Sequence, residues 1–492
     1  MDAVRTFVLR CLPDPAITTT GILSVAAGED HVGADRISAL PDELLRTIVS
    51  RLPIKDAART TVLFPRWRRI WHSTPLTIYD AHLFPAREPV RVDAIDRVLA
   101  GHPGPLRTAH LVYCFFGAHD CDDMLDRWAR LLAAGGVEDL VLISQPPPLD
   151  MPLPVDILRC SELRRLYLGF WTFPDAAALP DGAGVFPHLQ EFVILNTLID
   201  DSVLDHLLAS SPALETLALV FCYGLPDRFR PRGQNLQCVL FWLSVAIELA
   251  VADAPLLKRL VMWQTRPPSG FDESDGESHM WVRIASTPEL KVLGYLDPGV
   301  HKLQIGNTVI EADTKASPSS MIPSVKILAL KVNLSVFAEV QMLASFLRCF
   351  PNIETLHLES SMDDLTTDNH YAEFSEKLSP IECVQSNIKK VVVHGFRGDH
   401  LCEAAFLKFI TQRVDKLEKL TLVLADKVLG QAGEDLLVAL AIPPWASKAC
   451  TVLLVGRKVE RGLNFHQASD LSIEDPFVSE HGQVVRRFTK KE

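Results

Sequence analysis

Along most of the chain, apolar residues recur at positions i, i+3 and i+5, the pattern of a short strand whose alternate side chains point into a core. The copies begin at Val137, Leu163, Leu189, Leu214, Leu236, Leu257, Leu290, Val325, Ile353, Ile388 and Leu417. Each match is weak alone because leucine is common; eleven copies at intervals of 21 to 35 residues are not. Several are introduced by a proline two residues before the first apolar position, as in SSPALETLAL and CFPNIETLHL, which closes the preceding segment and leads into a strand. Helix-period stretches lie between copies, at Asp200–Ser211 and Glu339–Phe350. In the first, Val203, Leu204, Leu207 and Leu208 share one face, with Asp200 or Asp201 as N-cap.

One such unit cannot bury its own apolar face, but stacked units share a core. The expectation is an α/β solenoid over residues 100–456, a leucine-rich-repeat horseshoe, rather than a doubly wound domain with fewer and longer crossovers. The acidic, Gly/Pro-containing stretch Arg266–His279 and the segment Glu311–Ser320 read as solvated loops on its rim.

Ahead of the repeats, residues 1–34 lack a period and read as a poorly ordered leader. Residues 35–76 are different. Leu44, Leu45, Ile48, Val49 and Leu52 form one wide helical face. Pro41 suits the first helical position, and Asp42 and Glu43 favour the positive end of the helix dipole. A second short helix follows over about 55–62, and Pro65 opens a third segment carrying Trp67, Ile70 and Trp71. Three short helices in some 40 residues, with no disulfide or metal, bury too little surface to stand alone. Part of their apolar surface is therefore expected against the repeats or a partner chain. Residues 457–492 read as a C-terminal tail.

Charge and motif content then narrow the chemistry. Lys plus Arg number 49 against 61 Asp plus Glu, a net charge of −12, which argues against binding nucleic acid through its phosphates; Arg66-Trp67-Arg68-Arg69 is the one tight basic cluster. Ten cysteines include no Cys-x-x-Cys pair and read as buried thiols of a cytoplasmic or nuclear protein. The most apolar run, Cys238–Ala252, is broken by Ser244 and Glu248 and falls short of a membrane span. No phosphate-binding glycine loop, metal-ligating histidine pair or nucleophile elbow is present, so an enzyme, a cofactor and a metal are all unexpected. The paired acids Asp122-Asp123 and Asp363-Asp364 read as solvated or helix-start carboxylates.

The 35–76 segment resembles an F-box. The residues that carry the likeness are Leu40-Pro41-Asp42-Glu43-Leu44-Leu45, Ile48, Arg51-Leu52-Pro53, Asp56-Ala57, Arg66-Trp67-Arg68 and Trp71. Phe64-Pro65 departs from the family pattern just before the Arg-Trp-Arg. Followed by repeats, and by a stretch over about 346–424 that resembles an FBD region, the chain is similar to the plant F-box/FBD/LRR-repeat proteins. The resemblance implies a substrate-recognition subunit of a Skp–cullin–F-box ubiquitin ligase, in which the F-box docks a Skp-family adaptor, and through it a cullin, while the repeats hold a protein target. By motif position, Leu40, Pro41, Leu44, Leu45, Ile48, Leu52 and Pro53 would face or support the adaptor; helix-bundle core is the competing role, above all for Leu45. A stand-alone repeat scaffold or inhibitor is the alternative reading. Some related plant receptors bind an inositol phosphate on a dense basic cluster; here the basic residues are scattered and none is expected.

In such repeats the residues at i+2, i+4 and i+6 face opposite the core leucines. In the middle copies they are apolar and aromatic, and Tyr167, Leu195, Leu240, Trp242 and Trp263 are candidate target contacts. Two alternatives stand beside that reading: an insertion loop covers the face, or the register slips by one and makes these residues core.

Overall fold

The structure is a computed structural model. It describes residues 2–15, 17, 37–84, 86–114, 122–145, 151–179, 182–223, 226–268, 279–312, 314–315, 317–360, 381, 384, 386–398, 401–425, 445–447, 449–456, 463–478 and 484–489. Most of the Arg266–His279 loop, the Asp363-Asp364 pair and most of the leader lie outside the described residues. The chain forms two compact units, residues 1–214 with 219–226, and residues 215–218 with 227–492.

Both units are built on parallel strands laid side by side, one per repeat. Every one of the eleven copies places its strand two residues after its first apolar position, from Asp139–Ile143 through Arg165–Gly169 to Lys419–Leu424. The rungs align copy on copy, Arg165 opposite Glu191 in the first unit and Arg259 opposite Val292 in the second. The i+3 and i+5 side chains are buried throughout, for example Leu166 and Leu168, Leu356 and Leu358. One copy departs. Between Leu293 and Leu296 the register shifts, so Leu296 pairs with Leu330 and Tyr295 leaves the core side. Gly294, at φ +147°, sits against Ala329 at this irregularity, where a Cβ would lie 2.5 Å from the Ala329 carbonyl oxygen.

The first unit opens with three helices, Asp42–Val49, Ile54–Arg59 and Pro65–Ser73, with a 3-10 turn at Thr60–Val62. Pro41 is the cap residue before the first helix rather than its first member. Pro65 starts the third, which explains the Phe64-Pro65 departure: the ring fixes a helical φ where no N–H partner is needed. Strand Leu76–Tyr79 follows at once and pairs in parallel with Leu106–Leu111, so the ladder begins ahead of the residue-100 boundary drawn from the sequence. These first two rungs carry no leucine signature. The leader also differs from expectation. Asp2–Arg10 is a helix with Val8 and Cys11 buried, and Phe7 meets Phe221 edge-on at 5.1 Å.

Return segments differ between copies. In the first unit, helix Asp201–Ala209 is capped by Asp200, whose side chain accepts from Ser202 N, and it buries Val203, Leu204, Leu207 and Leu208. In the second unit, helices Phe337–Cys349 and Leu401–Arg413 serve two copies. The copies at 236, 257 and 290 return instead as strands, and Arg228–Phe229, Glu248–Val251, Met280–Ile284, His301–Ile305 and Thr308–Val309 form a second sheet. It buries Leu249, Met280, Val282 and Leu303 and turns Arg283 outward. Thus the apolar run Cys238–Ala252 is two strands of two different sheets.

The eight described cysteines are buried and none is disulfide-bonded. Among the described residues, no group of three or more His, Cys, Asp or Glu is placed to hold a metal ion, and no helix is long and apolar enough to cross a membrane.

Candidate functional site

The helical module packs around Leu45, Val49, Ile54, Ala57, Trp67, Ile70 and Trp71, all buried. Its third helix braces the lead-in to the first. The Arg66 guanidinium donates to Ser38 O (2.5 Å), to Leu40 O (2.6 Å) and to the Asp42 carboxylate (2.8 Å from Nε). Trp67 Nε1 donates to Ser38 Oγ at 3.2 Å. Arg66 and Trp67 are therefore an internal clamp that fixes Leu40, Pro41 and the start of the first helix, a role the cluster's charge alone did not reveal.

With that core closed, a set of large apolar side chains is left to solvent. Leu44 and Ile48, one helical turn apart, are 51% and 38% exposed, and Pro41 precedes them on the surface. Ile37, Val62, Leu63 and Phe64 are more than half exposed, Val62 reaching 82%. Leu40, Leu52 and Pro53 are half-buried. Leu45 is wholly buried, the core role that stood beside adaptor contact for it, because the stripe of this helix is wide and its centre turns inward. Val62, Leu63 and Phe64 were missed, since three consecutive apolar residues fit no period and read as the end of a helix.

The inner face of the repeats differs from its expectation. In the first unit, Tyr167 and Leu195 are buried, with the Tyr167 hydroxyl donating to Glu191 Oε1 at 2.6 Å. Burial and the Glu191 carboxylate hold the phenol well above its ordinary pKa.

In the second unit, Leu240 and Trp242 are buried and Trp263 is half-buried. The register has not slipped in these copies; the chain itself covers the face. Residues 463–478, with helix Phe465–Ser469, lie across it. Phe465 meets Trp242 edge-on at 6.0 Å, and Trp263, Tyr295 and Phe477 continue the aromatic row at 5.4 and 5.2 Å. Arg259, buried in the same face, donates from Nη1 to the carbonyls of Ala468 (2.7 Å), Asp470 (2.9 Å) and Gln467 (3.4 Å), and from Nη2 to that of Ile473. The buried His357 donates from Nε2 to Asp475 Oδ2 at 3.0 Å and receives His394 at its other nitrogen. Burial pushes the Asp475 carboxyl up, but the His357 hydrogen bond and charge outweigh it and leave it below the ordinary carboxylate value. These five residues, proposed from the sequence as target contacts, are thus closed off, four completely.

Comparison with known proteins agrees with this anatomy. An F-box domain model matches residues 37–79, and the model described as "FBD-associated F-box protein At5g56370, LRR repeats" matches residues 125–358. An FBD model matches 376–422. F-box/LRR-repeat protein At3g26922 of Arabidopsis thaliana is 28% identical over 265 residues, 53% of this chain and 75% of that protein. F-box/FBD/LRR-repeat protein At1g13570 of the same plant is 28% identical over 193 residues, 38% of this chain and 44% of its own length. Putative F-box/FBD/LRR-repeat protein At5g44950, also from Arabidopsis thaliana, is 25% identical over 459 residues, 86% of this chain and 100% of that protein. With the helical module, the stacked repeats and the FBD in that order, the chain belongs to the F-box/FBD/LRR-repeat family.

Proposed function

We propose that this protein is the target-recruiting subunit of a Skp–cullin–F-box ubiquitin ligase. It performs no chemistry of its own: the helical module docks a Skp-family adaptor and through it a cullin, and the repeats receive a protein to be ubiquitinated. The observation that carries this reading is the division of the first helix. Leu45 and Val49 complete the module's own core, while Leu44 and Ile48 on the neighbouring stripe remain exposed beside a solvent-facing Pro41. Apolar side chains left outside a satisfied core mark a surface for another chain. Leu40, Leu52 and Pro53, half-buried, support that surface, and the proposal extends it to Val62, Leu63 and Phe64. The work would be done in the cytoplasm or nucleus.

The test is co-purification of the full chain with a Skp-family adaptor. Replacing Leu44 and Ile48 together by Asp is expected to reduce adaptor capture at least tenfold while leaving the thermal unfolding midpoint within a few degrees, because neither side chain belongs to the core. Replacing Leu45 by Asp is expected to unfold the module instead. Failure of the intact protein to bind any Skp-family adaptor would favour the alternative, a stand-alone repeat protein that binds or inhibits a partner.

A further inference from the structure

The segment over the inner face of the second unit is joined to the ladder on both sides. Strand Thr451–Val455 precedes it, and strand Val484–Thr489 follows it and pairs back antiparallel, with Val455 opposite Val484. Residues 463–478 thus lie in sequence between two neighbouring rungs and belong to neither strand.

Its contacts are those of a bound peptide. Arg259 grips the backbone alone, through four carbonyls, which any sequence offers. Side-chain selectivity comes from two places: Phe465 on Trp242, and the Asp475-Pro476-Phe477 end. There the carboxylate meets His357, and the ring sits between Tyr295 (5.2 Å) and His357 (5.4 Å). The fit is incomplete. The Arg259 guanidinium is 2% exposed, its Nε is buried with no acceptor, and among the described residues no carboxylate lies within ion-pair distance of it. Its hydrogen bonds go to carbonyls, and the Asp470 and Asp475 carboxylates act on it only through space, so it is held less well than a guanidinium forked by a carboxylate.

From these observations we infer that the inner face of the second unit is a peptide site occupied in cis by residues 463–478. Its partner in trans is a segment of the same chemistry, with an acidic residue two positions before an aromatic one and a second carboxylate placed to take Arg259. This deepens the reading of the repeats as the target-receiving part and rests on it. The cis segment then sets a threshold: a target must outcompete a tethered ligand at high effective concentration.

The test uses the full chain with residues 463–478 replaced by a Gly/Ser linker, which keeps strand Val484–Thr489 in place, and a fluorescent synthetic peptide of residues 463–478 as the probe. The linker variant is expected to bind the peptide at least tenfold more tightly than the unaltered chain. Asp475→Asn or Phe477→Ala in the peptide, or Arg259→Met in the protein, should weaken binding about tenfold. A linker variant that unfolds cooperatively but does not bind the peptide overturns the inference. Hydrogen exchange on the unaltered chain decides the matter if that variant does not fold. Amides of 463–478 should exchange at least a hundredfold faster than those of strand Lys419–Leu424, by local opening; exchange only through global unfolding would make the segment permanent core and overturn the inference. Neither readout involves the adaptor. Peptide binding without adaptor capture would therefore sink the ligase reading alone, and the reverse would sink this one alone.

Discussion

At the residue scale, the buried ionisable groups say most about how the molecule responds to its surroundings. His301 is wholly enclosed; Asp297 N donates to its Nδ1 at 3.0 Å, and its Nε2 faces Thr265 Oγ1 at 2.9 Å, so the ring is held neutral. Burial lowers its pKa to about 4. An unfolded histidine takes up its proton near pH 6.5, so as pH falls from there toward 4 the unfolded chain binds a proton that the folded one refuses. Stability contributed by the neutral ring is present above pH 6.5 and is lost over this window, by about 3 kcal/mol at most. His110 in the first unit is likewise lowered to about 4, chiefly by burial. There the buried Asp80 acts in the opposite sense. Its carboxylate accepts from Val112 N and Tyr113 N, yet burial raises it to about 6, so its contribution declines as pH rises from 4 to 6 and blunts the acid limb of that unit. The expected outcome is a urea-denaturation midpoint that falls between pH 6.5 and 4, with a shallower fall in His301→Gln. An identical acid limb in that variant would contradict the assignment. The exposed stripe of the first helix shows how much a residue's position depends on a single step of about 100° around the helix: Leu44 and Leu45 are indistinguishable by composition, and one is half exposed while the other is wholly buried.

At the scale of elements, the spacing of leucines located the rungs from Asp139–Ile143 to Lys419–Leu424, because a period of two with one buried side admits a single register, but not the last two, Thr451–Val455 and Val484–Thr489. It failed where that constraint relaxes. Strand Leu76–Tyr79 has neighbours on both faces and reads as an ordinary apolar run. The second sheet was invisible because its strands, such as Met280–Ile284, alternate just as the main rungs do and nothing local says which sheet they join. The inner face was legible as apolar but not as covered, because Phe465 and Phe477 lie some 200 residues beyond Trp242 and no pattern links them. Gly294 marks one of the irregular rungs. A side chain there meets the Ala329 backbone and must adopt φ +147°, which only glycine tolerates easily. Gly294→Ala is expected to cost roughly 2–4 kcal/mol, from strain and a displaced neighbouring rung. Gly101→Ala, in open space at the end of a helix, is the control and should be nearly neutral; equal midpoints for the two would refute this account.

At the scale of the whole molecule, the F-box and the first repeats share one unit, and the FBD match lies in the other. Helix Ile54–Arg59 packs on strand Leu76–Tyr79, which is the terminal rung of its ladder. The module therefore shields an edge whose unpaired backbone would otherwise recruit strands from other molecules. A chain lacking residues 37–75 is expected to aggregate on size-exclusion chromatography, whereas the Leu44/Ile48 double variant stays monomeric; a soluble monomeric deletion would show that the edge needs no cover. If the edge does need it, a truncation from the front does not leave a working set of repeats behind. Only surface substitutions that leave the module folded, such as the Leu44 and Ile48 pair, could then silence the module while sparing the repeats.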